Sequence, residues 1–392
     1  MWAYGITKEQ LDKVSMLDEK LRKPSMGIQC LEVPQPVLKP GEVLVKMKSS
    51  ALNYNTLWSA ISKPLSSFQL IRKHVLRNPV DIDHIQDFAI FGSDGAGVIF
   101  AMAPDVTGWS VGDEVIIHCN VIDTNEPIAQ VDGMLAESQS IWGYETNYGA
   151  FAEFAKVRCS QLIRKPNHIT WEVAASFSLT LSTAYRMVCS SNGIRIAPGD
   201  YCLIWGASGG LGSFAIQLIR LMGGVPVAVV STSAKQKICE ELGCEIVINK
   251  EELAFGSFIE ADGAPDYLAW RRFKLALDKK GVKKISHVFE HIGKDTLGLS
   301  IYLLEKGGSV VTCAATSGYL ATIDLRFLWM NSKSIVGSHF ANYNEAVLAA
   351  QLVFSNRVRP VLYANCPINE LPEMADLMYA GGSYGKIVFK HE

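Results

Sequence analysis

The segment Gly206-Ala207-Ser208-Gly209-Gly210-Leu211-Gly212 follows a short apolar run, Tyr201-Cys202-Leu203-Ile204-Trp205, and leads straight into the helix-compatible stretch SFAIQLIRLM. Glycines at such a junction let the backbone turn tightly, come close to a pyrophosphate and pack a helix on a sheet. The helix N-terminus adds free N–H groups and the positive end of its dipole. In this strand, turn and helix context the loop predicts dinucleotide binding through Gly206, Ser208, Gly209, Gly210, Leu211 and Gly212. The next strand, VPVAVVS, ends in Ser231-Thr232-Ser233, with no acid before Glu240. Hydroxyls at Ser231 and Thr232 followed by the ammonium groups of Lys235 and Lys237 suit a ribose 2′-phosphate, so the predicted cofactor is NADPH rather than NADH. A solvated first helical turn would carry the same lysines.

Other residues have the chemistry for catalysis but weaker local signals. Asn53 and Asn55, in LNYN, read from local chemistry either as turn formers after a strand or as an amide pair for a ligand. Glu145 lies between Trp142 and Tyr148, where a carboxylate has either a partner or a raised pKa unless the segment is a surface loop. A solitary His339 after a β-branched run is compatible with a structural hydrogen bonder. His118-Cys119 are neighbours on a strand, so they point to opposite faces and read as packing residues. Arg271, Arg272, Lys274, Lys279, Lys280, Lys283 and Lys284 form the densest run of cations. That run, or Arg186, offers charge for a phosphorylated ligand, and the run also reads as a solvated helix face.

The elements that must hold these residues fall into two textures. Residues 41–55 alternate in the β manner after a Pro-rich stretch, and further short β-like runs such as EVIIHC mark a compact strand-rich domain. From about Ile169 a Thr170-capped helical stretch, the turn PGD, a buried strand and the glycine loop announce a parallel α/β domain. Strand and helix candidates then alternate as far as SIVGSHF, the pattern of a doubly wound sheet. Within it, TLGLSIYLLEKGG reads as a helix, and the long interval 251–284 reads as one or two extra helices laid on the core. The segment NEAVLAAQLVFSN reads as an amphipathic helix and KIVFK as a closing strand that returns to the first domain. The expected fold is thus α/β: a strand-rich GroES-like catalytic domain over 1–180 and 336–392, and a Rossmann dinucleotide-binding domain over 181–335.

Composition narrows the class. With 392 residues and 48% apolar content the chain has core material for two or three domains. A formal charge of −2 gives no bulk positive field for nucleic acid or an acidic membrane. Nine scattered cysteines without a C-x-x-C pair read as reduced thiols. No apolar run approaches the ~18 residues of a membrane span, and the first residues lack the order of a signal peptide. The expected setting is the cytoplasm.

Longer strings carry a resemblance. IWGYETNYG (141–149), LIWGASGGLGS (203–213), the FEH of 289–291, VTCAATSGY (311–319) and IVGSHFANY (335–343) resemble the crotonyl-CoA carboxylase/reductase family, within the zinc-free branch of the medium-chain dehydrogenase/reductase superfamily. The resemblance implies NADPH delivering hydride to the β-carbon of a 2-enoyl-CoA, and the resulting enolate capturing CO2 as co-substrate at the α-carbon to give a 2-alkylmalonyl-CoA. It places the CO2-binding residues on Asn55, Tyr144-Glu145 and His339. Tyr144 departs from the family's Phe; the family uses that residue's backbone N–H, which the change leaves in place. Where zinc relatives carry Gly-His-Glu this chain has Gly92-Ser93-Asp94, so no metal is expected. The resemblance also implies a homotetramer, with no nucleic-acid or membrane partner.

Two other functions compete with reductive carboxylation. A 2-enoyl thioester reductase would only protonate the enolate, in keeping with the added hydroxyl of Tyr144 and a C-terminus close behind KIVFK. A nucleotide-sensing or structural protein would keep the cofactor site without turnover, yet would have no use for the retained amide, carboxyl and imidazole. Nothing in the sequence separates a CoA thioester from an acyl-carrier-protein thioester.

Overall fold

The computed structural model describes residues 1–253 and 255–391, which divide into two compact units. The first comprises Met1–Leu179, Asn342–Phe354 and Pro360–Glu392; the second comprises Thr180–Ala341 and Ser355–Arg359.

The first unit is built on the strand Glu42–Ala51, whose alternation sends Val43, Val45 and Met47 into a core with Ile99, Val115 and Trp142. This strand pairs antiparallel with Gly95–Met102, Phe154–Arg158 and Lys386–Lys390. The sheet continues through Glu114–Ile117 and Leu162–Arg164 on one side and Leu362–Pro367 on the other. Val388 faces Ala51 in register, so the closing strand KIVFK returns to the sheet of the first unit. A second core gathers Ile6, Leu52, Leu57, Phe91, Phe151, Leu371 and Phe389 around the short helix Tyr54–Ala60.

The second unit is a parallel sheet in the order Ile246–Asn249, Val225–Val230, Tyr201–Ile204, Ile285–Glu290, Leu304–Thr312, Ser334–Gly337. This is the doubly wound order, with the switch point beside Tyr201–Ile204, where ligands bind beyond the carboxyl ends of the strands. Its inner strands Val225–Val230 and Tyr201–Ile204 are almost wholly apolar, as strands covered on both faces require.

The interval 251–284 holds the helix Tyr267–Lys279, capped by the Asp266 carboxylate on the N–H groups of Leu268 and Ala269. Trp270, Phe273 and Leu277 face the core, which leaves Arg271, Arg272 and Lys274 in solvent. The stretch TLGLSIYLLEKGG, expected as one helix, is the helix Leu297–Leu303 followed at once by the strand Leu304–Thr312. Gly307 at φ 78° and a register shift opposite Ile285/His287 let the chain bend into the sheet there. Residues 336–341 belong to the second unit, because Ser334–Gly337 extends its sheet and the Ser338 N–H continues the pairing onto the Thr312 carbonyl at 2.8 Å.

Candidate active site

The glycine loop leaves the strand Tyr201–Ile204 and enters the helix Gly210–Leu221. Gly206 has φ 56°, and a Cβ there would lie 2.9 Å from the His291 ring. At Gly212 a Cβ would lie 2.5 Å from Ala207 Cα and the Gly206 oxygen, so only glycine lets the helix seat on its own loop. Gly209 caps the helix without a side-chain hydrogen bond, so its first N–H groups face no capping oxygen, as a phosphate site requires. Thr232, by contrast, has its hydroxyl engaged as the cap of the helix Ser233–Glu241, accepting from the Lys235 N–H at 3.3 Å. Lys235 Nζ lies 3.4 Å from the exposed Ser231 hydroxyl, so these two side chains hold the end of the second strand. The FEH string proves structural: buried Glu290 accepts from the Ile292 and Gly293 N–H groups and from the Thr296 and Ser300 hydroxyls. The His291 imidazole contacts the Trp205 carbonyl at 2.8 Å.

In the first unit, Asn53 stands at the N-terminus of Tyr54–Ala60 without capping it. Its amide donates to Asp94 Oδ2 at 2.9 Å and accepts from Lys386 Nζ at 2.5 Å. Lys386 Nζ pairs with Asp94 Oδ2 at 3.0 Å, and Asp94 Oδ1 takes the Leu179 N–H at 2.8 Å. Asp94 and Lys386 are both fully enclosed, so neither charge has water to fall back on. Two residues on from Asn53, the Asn55 amide nitrogen lies 2.9 Å from Ser93 Oγ, while its Oδ1 is buried with no partner. A serine hydroxyl both donates and accepts, so the amide can also sit turned about, with Oδ1 on Ser93 and two N–H donors facing outward. Asn55 is therefore a buried amide with capacity to spare for a ligand.

The residues just before Ser93 pack against the turn that carries Glu145. A Cβ on Gly143, at φ 66°, would lie 1.9 Å from the Gly92 oxygen, and one on Gly149 would lie 2.4 Å from the Phe91 oxygen. The turn carrying Tyr144 and Glu145 thus lies directly on residues 91–92. The N–H groups of Tyr144, Glu145 and Thr146 all reach for the Ile141 carbonyl, at 3.2, 2.8 and 3.2 Å. One carbonyl has two lone pairs, so three donors share this oxygen, the Tyr144 and Thr146 N–H groups at the longer distance. Glu145 returns a carboxylate oxygen to the Ile141 N–H at 2.9 Å. Burial raises its pKa, opposed only in part by that N–H and by Arg77 and Lys73.

His339 lies in the second unit, just past the strand Ser334–Gly337 and before Phe340 at φ 42°. Surrounding protein, and secondly the Arg186 guanidinium, pushes its imidazole down to about 4, so it is neutral at pH 7 even though solvent reaches part of the side chain. The structure links Asn55, Ser93 and the Tyr144-Glu145 turn within one unit and places His339 in the other. The sequence reading missed Ser93 and Lys386 as working residues.

The residues at the place of the zinc relatives' Gly-His-Glu do not fit a zinc ion. Ser93 is occupied with Asn55, and Asp94 with Lys386.

Residues 39–167 match the family model of the alcohol dehydrogenase GroES-like domain, and residues 210–355 that of zinc-binding dehydrogenase. With the doubly wound sheet and its glycine loop, these matches define a medium-chain dehydrogenase/reductase. Crotonyl-CoA reductase of Streptomyces collinus is 40% identical over 386 residues, 98% of this chain and 86% of that protein. Crotonyl-CoA carboxylase/reductase of Cereibacter sphaeroides is 38% identical over 369 residues, 92% of this chain and 83% of that protein. The structure of the 2-octenoyl-CoA carboxylase reductase CinF with NADP and 2-octenoyl-CoA superposes with a TM-score of 0.94 at 40% identity, covering 99% of this chain and 87% of that one. The chain belongs to the crotonyl-CoA carboxylase/reductase family.

Proposed function

We propose that this protein is an NADPH-dependent reductive carboxylase that converts a 2-enoyl-CoA into a 2-alkylmalonyl-CoA. The observation that carries the reading is the buried Asn55 amide with an unused oxygen, held by Ser93, whose preceding residues Phe91 and Gly92 pack against the turn of Tyr144 and Glu145. CO2 brings no charge into a pocket, so the site must offer donors where carboxylate charge develops. The Asn55 amide, turned on Ser93, presents N–H groups; the Tyr144 N–H would be the second donor; Glu145 orders the turn. NADPH, when bound, supplies the hydride that leaves an enolate on the substrate. Gly206, Ser208, Gly209, Gly210, Leu211 and Gly212 would take its pyrophosphate, and Ser231, Thr232 and Lys235 would lie at its ribose 2′-phosphate. His339, a neutral imidazole at pH 7, would complete the set of polar groups around the CO2. The reading extends to a homotetramer working in the cytoplasm on CoA or acyl-carrier-protein thioesters. Its support is free thiols at all nine cysteines and exposed apolar side chains at Leu325, Trp329, Met330 and Ile335 beside the edge strand of the second sheet. No helix among the described residues is long and apolar enough to cross a membrane.

Mass spectrometry of acyl products from a crotonyl-to-octenoyl-CoA panel with NADPH, labelled bicarbonate and carbonic anhydrase tests this. Labelled alkylmalonyl-CoA is expected. A saturated acyl-CoA alone at high CO2 would leave the simple enoyl reductase, with the Tyr144 hydroxyl as the first group to remove.

A further inference from the structure

Beneath the turn of Tyr144 and Glu145 lies a buried polar network with no part in the chemistry above. Glu42, Asp81 and Asp83 supply three carboxylates. Lys39 binds Asp83; Lys156 binds Asp83 and, at 3.2 Å, Glu42; Arg158 binds Asp81 at 2.7 Å. Three cations thus face three anions, so the side-chain charges of the cluster cancel. Glu42, Asp81 and His84 have the spacing of a metal site, yet Lys156 already provides the positive charge there. His84 Nδ1 accepts the Asn147 N–H at 3.0 Å, so the proton of the neutral ring is on Nε2, the nitrogen a metal would take. Burial, then Lys156, pushes its pKa down to about 3, which agrees with a neutral ring.

The second imidazole is that of His74, fully buried on the helix Ser67–Arg77. Its Nε2 lies 2.8 Å from Asp81 Oδ2, the same oxygen that Arg158 holds. Its Nδ1 lies 2.9 Å from Ser140 Oγ and 3.2 Å from the Asn78 amide. With Nε2–H on the carboxylate, Nδ1 is an acceptor for the Ser140 hydroxyl, and Ser140 in turn accepts from Arg77 at 3.2 Å. Ser140 precedes Ile141, whose N–H holds the Glu145 carboxylate and whose carbonyl collects the turn.

We propose that His74 is a positioning residue for Glu145: clamped between Asp81 and Ser140, it fixes the Ser140–Ile141 backbone on which the carboxylate rests. This rests on the role given to Glu145 above. Burial alone would raise the Asp81 pKa; the His74 and Arg158 contacts outweigh it and hold that carboxyl below its usual range, so the anchor stays charged at neutral pH.

The test compares carboxylated to saturated product in Ser140→Ala, Ser140→Thr, His74→Gln, His74→Asn and Glu145→Ala, each with total NADPH oxidation and circular dichroism. A glutamine amide reaches Asp81 as Nε2 does but leaves Ser140 unheld, whereas an asparagine amide occupies the place of Nδ1. Glu145→Ala should lower the ratio at least tenfold. Ser140→Ala and His74→Gln should lower it several-fold, falling on the carboxylated fraction rather than on total NADPH oxidation, while Ser140→Thr and His74→Asn restore most of it. If Glu145→Ala lowers the ratio and Ser140→Ala does not, the positioning role is overturned and that of Glu145 stands. An unchanged ratio in Glu145→Ala overturns both. Ser140 is small and neutral, so its variant keeps the test open should the His74 variants fail to fold.

Discussion

Replacing Lys386 by Met tests the buried ion pair that braces the Asn53–Asn55 segment. Lys386 and Asp94 are 2% and 0% exposed, and the ammonium lies 3.0 Å from the carboxylate. Removing one member of such a pair strands the other, which costs about 3–5 kcal/mol in comparable cores. Asp94 would keep two donors, the Asn53 amide and the Leu179 N–H, so the lower end of that range is expected. With about 3 kcal/mol per molar urea for a large domain, the melt of this unit should move down by about 1 M. The double variant Asp94→Asn with Lys386→Met removes both charges at nearly constant volume and should recover most of the loss. Urea titrations followed by proteolysis of the first unit measure both. A loss below about 1 kcal/mol, or a double variant no better than the single, would refute the brace.

Three further outcomes follow from the site. Gly212→Ala places a methyl 2.5 Å from the Gly206 oxygen and should weaken NADPH binding at least tenfold, read by fluorescence titration. Lys235→Ala should lower the preference for NADPH over NADH by about tenfold or more in kcat/KM, the worth of a charge-assisted contact to the 2′-phosphate. Glu145→Gln should stabilise the fold at pH 7 to 8. The raised carboxyl contributes most below its unfolded pKa and loses that contribution as pH rises through its folded one, so the difference from the parent should vanish toward pH 4 in thermal melts.

How much of this was readable before the structure depended on distance along the chain. The parallel strands and the glycine loop were readable because each is a contiguous run: YCLI, VPVAVV and the loop carry period, breaker and cap within a few residues of one another. The helix Tyr267–Lys279 was readable for the same reason, and its cations prove to be the solvated face. The helix-to-strand change at Leu304 was hidden, because LSIYLLEKGG suits either period and the bend comes from Gly307 and a register shift set by the neighbouring strand. The site depends on long-range partners. Asp94 and Lys386 are 292 residues apart and His74 and Ser140 are 66 apart, so no local pattern announces either pair. Asn55 and Glu145 stood out through the strings around them, while the serines that hold them were indistinguishable from loop serines. Tyr148 at φ 64°, which completes the turn after Glu145, is set by its tertiary bonds rather than by its residue type.

The central claim is that this enolate is carboxylated rather than protonated. The most direct measurement counts labelled carboxylate in the acyl product against NADPH oxidised, at saturating CO2 and again in CO2-depleted buffer. The account predicts close to one carboxylate per NADPH in the first condition and saturated acyl-CoA in the second. NADPH oxidation that yields only saturated product in both would contradict it.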